Sequence, residues 1–240
     1  MGPLILNTRP ETDSQELEAA LLARGYRLLS APMLRIEFPS HTDALDLVGV
    51  QALIFTSANG VRAFAKQCDA RHYPVLCVGD ATARMARQAG FGDIRSADGD
   101  IEDLARLIGD QIDPTKGDLF HPAARKVAGD LGSLLQDRGF NIRRQTLYDA
   151  IPSDHLPDDV ITAISAHHVD AVLFFSPRTA ISFVKLIERY KLEKDLVGTS
   201  AICLSEAVKD RLGVLTWHKT EVAKHPTQEY LLSALENAFA

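Results

Sequence analysis

The chain has 240 residues, 46% apolar and 24% charged, and its 26 basic and 32 acidic side chains leave a net charge of −6. A high apolar fraction with mixed charges argues against disorder. The acidic balance argues against non-specific nucleic-acid binding, and no apolar run approaches the roughly 18 residues of a membrane span. The length allows one large domain or two small ones.

The N-terminus, Met1 to Asn7, has neither a basic region nor a long apolar stretch, so no signal peptide is expected. Leu4-Ile5-Leu6 reads as a buried strand. Residues 13–24 read as a helix with Leu17, Ala20 and Leu21 on one face and Gly25 as its stop. Arg27 to Pro32 reads as a second strand, and Ala52-Leu53-Ile54-Phe55 and Val75-Leu76-Cys77-Val78 as further ones, each followed by a helical pattern. Val214-Leu215-Thr216 with Trp217 reads as part of a late strand. Strands separated by helices of about 10–15 residues imply parallel β-α-β units, hence an α/β fold with open parallel sheets. Cys68, Cys77 and Cys203 form no metal-binding spacing and leave an odd thiol, which fits a reducing cytoplasm.

An internal repeat organises these elements. Ala52 to Phe64 matches Ala171 to Phe183 at an offset of 119, and Leu17…Gly25-Tyr26 matches Leu131…Gly139-Phe140 at 114. Cys77 and Ala81 match Cys203 and Ala207 at 126, and Glu102, Leu104 and Ile108 match Glu229, Leu231 and Leu235 at 127. Four blocks recurring in one order point to a duplication and two similar α/β lobes.

Ligands of open α/β sheets bind beyond the carboxyl ends of the strands. The segments there include Thr8-Arg9-Pro10, Thr56 to Gly60, Gly79 to Thr82, His121 to Ala124, Ser176 to Thr179, Ser205-Glu206 and His225 to Thr227. Helix capping accounts for any one of them. Together they offer backbone N–H groups and positive helix ends suited to carboxylate or phosphate. No GxGxxG, P-loop, GxSxG or HExxH motif occurs. His121 and His225 sit at strand ends where they could line a cleft, a surface or capping role being the first expectation; His167-His168 is expected at a solvated helix end or loop, and Tyr148 in core packing with a bonded hydroxyl.

These segments carry a resemblance that covers nearly the whole chain. Thr8-Arg9-Pro10, Phe55 to Val61, Val78 to Ala83, Arg138-Gly139-Phe140 with Leu147-Tyr148, Phe174 to Pro177, and Pro226-Thr227 resemble, in order and spacing, the uroporphyrinogen-III synthase family. Two features depart from its pattern. Ser205, Val208 and Lys209 stand where a second Gly-x-x-Thr-Ala turn is usual, and His121-Pro122-Ala123-Ala124 stands where a Gly is usual.

The resemblance implies two flavodoxin-like lobes with parallel sheets, one from residues 1–35 and 151–240 and the other from 36–150. They would be joined by extended crossings near Met33 to Phe38 and Ala150 to Pro157, which would permit hinge motion. It also implies cyclisation of hydroxymethylbilane, an open tetrapyrrole with eight carboxylates, with loss of water and inversion of ring D. No cofactor or metal is expected. Tyr148 is the implied proton donor. Arg9, Thr56, Ser57, Asn59, Gly79, Thr82, Ser176, Ser205 and Thr227 are the implied substrate contacts, with Arg62 and Arg178 as further candidates for charge pairing. The expected protein is a cytoplasmic monomer without nucleic-acid or membrane partners, with room for transient contact with the preceding pathway enzyme. The competing reading is a non-catalytic, two-lobed anion-binding or effector-binding module.

Overall fold

The computed structural model describes residues 2–39, 44–126 and 129–239. The chain divides into two compact units. One runs to Arg35 and resumes at Ile151, and the other covers Ile36–Ala150.

The first unit opens with β1 (Leu4–Asn7), α1 (Gln15–Leu22) and β2 (Arg27–Ser30), and the chain leaves it along β3 (Leu34–Glu37). The second holds β4 (Val50–Phe55), α2 (Ala58–Gln67), β5 (Val75–Cys77), α3 (Asp80–Gln88), β6 (Ile94–Ser96), α4 (Ile101–Gln111), β7 (Asp118–Ala124), α5 (Leu131–Gln136) and β8 (Ile142–Pro152). The first is completed by α6 (Asp158–Ser165), β9 (Ala171–Phe174), α7 (Pro177–Tyr190), β10 (Ser200–Cys203), α8 (Glu206–Lys209), β11 (Thr220–Val222) and α9 (Gln228–Ala238).

The first sheet has the order β2-β1-β9-β10-β11 and the second β3-β8-β7-β4-β5-β6. Every ladder along β2-β1-β9-β10-β11 and along β8-β7-β4-β5-β6 is parallel. A parallel sheet is covered on both faces, so its strands are apolar on both. In β4, Leu53 and Phe55 enter one buried cluster while Ala52 and Ile54 enter the other. In β9, Val172 and Phe174 divide from Ala171 and Leu173 in the same way.

The five-strand orders are the same once the repeat is applied, β8-β7-β4-β5-β6 lying on β2-β1-β9-β10-β11. The registers agree as well: Leu6 pairs with Val172, and Phe120 pairs with Leu53, the residues the offsets of 114 and 119 make equivalent. The repeats are therefore interleaved. Each unit combines a β-α-β piece from one repeat with the β-α-β-α-β piece of the other. The strand order is that of flavodoxin-like sheets, and the α/β duplication expected from sequence is present.

Local differences have local causes. Residues 13–24 do not form one helix. A 3₁₀ turn, Glu11–Asp13, follows Pro10, and α1 begins at Gln15. Gly25 does end this region, with φ +79°. The second strand stops at Ser30 rather than Pro32. Trp217 lies in no strand. Its ring packs 5.9 Å from Phe174 and 6.2 Å from Phe183, and its N–H reaches the Leu212 carbonyl at 3.4 Å. The crossing segments, expected to be extended, contain β3 and the end of β8, which are neighbours in the six-stranded sheet.

Candidate active site

A flavodoxin-type sheet has one topological switch point, where successive connections leave in opposite directions and a crevice opens beyond the strand ends. It falls between β1 and β9 in the first unit and between β7 and β4 in the second.

At the second unit's switch point, β4 delivers Thr56 and Ser57. Ser57 is the N-cap of α2, and its Oγ accepts the Gly60 N–H at 3.1 Å. The same Oγ lies 2.6 Å from the Tyr148 hydroxyl, which β8 carries and which is 6% exposed. Thr56 Oγ1 lies 3.1 Å from His121 Nε2. His121, expected in a surface or capping role, is 4% exposed, because β7 continues to Ala124. Pro122 does not break the strand because the ladder with β4 extends only to Phe120, while that with β8 continues. Burial, and secondarily the Arg144 guanidinium, push the imidazole down to about 4, so it is neutral at physiological pH. Beside this pair lies a cavity of about 90 Å³ lined by Thr56, His121, Arg144, Asp130 and the apolar Ile101 and Ile142, among others.

Gly60 is required here by close approach. A Cβ on it would come within 2.8 Å of the Pro122 carbonyl oxygen, so only Gly lets α2 start against β7. Asn59, buried in the first turn of α2, accepts from Arg62 Nη1 at 2.7 Å. Gly79 is the N-cap of α3, a helix start without a side-chain cap. Thr82 is therefore not the cap. It is 5% exposed, and its hydroxyl makes no hydrogen bond with the described residues.

At the first unit's switch point, Thr8 Oγ1 donates to the Leu173 carbonyl at 2.6 Å. Arg9 lies 4.1 Å over the Phe175 ring and donates to Gln228 Oε1 at 2.8 Å. Asn7, the register equivalent of His121, is fully buried. It donates to Ser14 Oγ at 2.9 Å and accepts the Arg9 N–H at 3.0 Å. Ser176 caps α7 in a capping box with Thr179, and Thr227 caps α9 by accepting from the Tyr230 N–H at 3.4 Å. Ser205 begins α8 without a side-chain cap. Val208, at the place of Thr82, is buried in the core instead of offering a hydroxyl.

The structure brings the expected site residues Thr56, Ser57, Asn59 and Tyr148 to one switch point and Arg9 and Ser176 to the other. It adds buried His121 and, beside it, Arg144, which the sequence does not single out. The repeat holds the signal for His121: the offset of 114 aligns it with Asn7, a polar residue directly after the apolar run in both halves. The buried thiols of Cys77 and Cys203, pushed up to about 12 mainly by burial, are not poised as nucleophiles.

Fold and site together define an α/β protein of two duplicated, flavodoxin-ordered units with hydroxyl-rich strand ends. Comparison with known proteins narrows this. The family model described as uroporphyrinogen-III synthase HemD matches residues 15–233. The uroporphyrinogen-III synthase of Synechococcus elongatus is 26% identical over 202 residues, covering 78% of this chain and 75% of that protein. Among solved structures, the uroporphyrinogen-III synthetase of Helicobacter pylori matches with a TM-score of 0.65 at 18% identity, over 100% of both chains. A mutant uroporphyrinogen III synthase from Thermus thermophilus matches with a TM-score of 0.61 at 17% identity, over 99% of both. The chain belongs to the uroporphyrinogen-III synthase family. It is a hydro-lyase of tetrapyrrole biosynthesis.

Proposed function

We propose that the substrate is hydroxymethylbilane, that ring D is inverted as the macrocycle closes, and that Tyr148 supplies the proton on which the leaving hydroxide departs as water. The observation that carries this reading is the 2.6 Å contact between Tyr148 and Ser57 at the head of α2. Because Ser57 Oγ already accepts the Gly60 N–H, its own proton is available to the phenol oxygen. In that arrangement the Ser57 hydroxyl orients the phenol, and on this reading the phenol proton goes to the departing oxygen. A positioned proton donor contributes about 10²- to 10⁴-fold.

The remaining contribution is positioning. A chain of net charge −6 does not attract a polyacid by its overall field, so local donors must hold it. The uncapped start of α3 with the Thr82 hydroxyl, the backbone N–H groups around Ser205, and Arg9 beside Phe175 are the donors we assign to carboxylates. Ser176 and Thr227 act first as helix caps. Three free thiols, two of them buried, support a reducing compartment, the cytoplasm.

The test is incubation with hydroxymethylbilane, oxidation, and chromatographic separation of the type I and type III porphyrins. Type III product supports the reading. Type I alone, at the rate of the uncatalysed cyclisation, refutes it.

A further inference from the structure

The second unit's switch point holds more polar machinery than proton donation by Tyr148 requires. His121 and Thr56 face each other at 3.1 Å, and the cavity beside them is also lined by Arg144. A neutral imidazole carries one proton and a threonine hydroxyl carries one. One of these is consumed between the two side chains. Whichever it is, one donor remains: the Thr56 O–H if His121 Nε2 donates, or the His121 Nδ1–H if Thr56 donates. His121 Nδ1 makes no hydrogen bond with the described residues. Arg144 gives one amino group to the carbonyls of Ala124 and Arg125 and brings a permanent positive charge to the cavity. Among the described residues Asp130 makes no ion pair with Arg144; its carboxylate accepts from the Ser133 hydroxyl at 2.6 Å and the Ser133 N–H at 3.1 Å. The other walls include Ile101 and Ile142, apolar surface of the kind an alkyl stem covers. The volume, about 90 Å³, far exceeds the roughly 10–15 Å³ needed for one water.

We propose that this cavity is a subsite for one short carboxylate-bearing arm of the substrate, with Arg144 and the leftover donor of the Thr56–His121 pair binding the carboxylate and Ile101 and Ile142 covering its stem. The assignment rests on the reading of the substrate as a polycarboxylate. His121 contributes as a neutral donor or as the group that orients Thr56, and takes no part in the proton transfer assigned to Tyr148. The duplication shows what is particular to this site. The other repeat has Asn7 at the equivalent position, and its amide is used up by Ser14 and the Arg9 N–H.

Two variants and one probe test this. His121→Asn installs the residue of the equivalent position, and Arg144→Gln removes the charge from an exposed side chain. A charge-assisted hydrogen bond lost from a bound carboxylate corresponds to about 10- to 100-fold in affinity. Each variant is expected to raise KM for hydroxymethylbilane by about that factor, to leave kcat within about twofold, and to keep a cooperative melting transition. KM unchanged in the folded variants, or kcat lost at constant KM, overturns the subsite. Propionate titrated into the unmodified protein is the independent probe. It is expected to shift the His121 imidazole NMR signals saturably, and Arg144→Gln to weaken that response. No response overturns the subsite. If the unmodified protein yields only type I porphyrin, the substrate reading fails, and the propionate titration alone then decides whether the cavity takes a carboxylate.

Discussion

The two switch points share one topology and one origin, yet they are finished differently. In the first unit Asn7 and Thr8 spend their polar groups on Ser14 and the Leu173 carbonyl, Arg9 gives one amino group to Gln228, and Phe175 fills the place that Thr56 takes in the other. In the second unit Thr56 and His121 pair across the crevice, Ser57 holds Tyr148, and a cavity remains. Backbone topology fixes where a crevice opens, and the side chains at the strand ends decide whether protein or ligand fills it.

The sharpest way to break this comparison is through pH. His121 is held at about 4, below the ordinary 6.5, first by burial and then by Arg144. Between pH 6.5 and 4 the unfolded chain therefore binds a proton that the folded chain excludes. Stability contributed by this site is complete above 6.5 and declines as pH falls toward 4, by about 3 kcal/mol. Denaturant unfolding at pH 7 and pH 4.5 should show a smaller drop for His121→Asn than for the unmodified protein. Equal drops would place the imidazole in water.

Next in size is Tyr148→Phe, for which turnover should fall about 100-fold and melting temperature change little. Unchanged turnover and isomer ratio would remove Tyr148 from the chemistry. Gly60→Ala should cost about 1–3 kcal/mol of stability, because the new methyl meets the Pro122 carbonyl at 2.8 Å, and thermal melting checks it. The smallest effect expected is for Thr82→Ala: a KM increase of a few fold with no loss of melting temperature, since the hydroxyl caps nothing. A lower melting temperature at constant KM would make Thr82 structural.

Much of this was legible in the residues. The apolar runs Leu4-Ile5-Leu6 and Ala52 to Phe55 are the central strands because strands buried on both faces admit no polar alternation. The repeat offsets carried the equivalence of the two sheets, which the ladder registers share, because duplicated sequence keeps duplicated pairing. What escaped depended on tertiary context. Trp217 follows a β-prone run but is drawn to the Phe174 and Phe183 rings instead. His121 to Ala124 reads as a segment beyond a strand end, while β7 in fact continues along β8 past its last pair with β4 and buries His121. The loss of a hydroxyl at Val208 is explained by the core it joins, a fact no local pattern contains.

The claim at the centre is that catalysis belongs to the polar switch point of the second unit. The most direct measurement sets Ser57→Ala against Ser176→Ala, equivalent N-cap serines of α2 and α7, in hydroxymethylbilane turnover and porphyrin isomer ratio, with melting temperature as the control. Both should lose about 1 kcal/mol of stability as helix caps. Only Ser57→Ala should also cut turnover severalfold or more and raise the type I fraction. Equal effects on turnover, or a larger one from Ser176→Ala, would contradict the account.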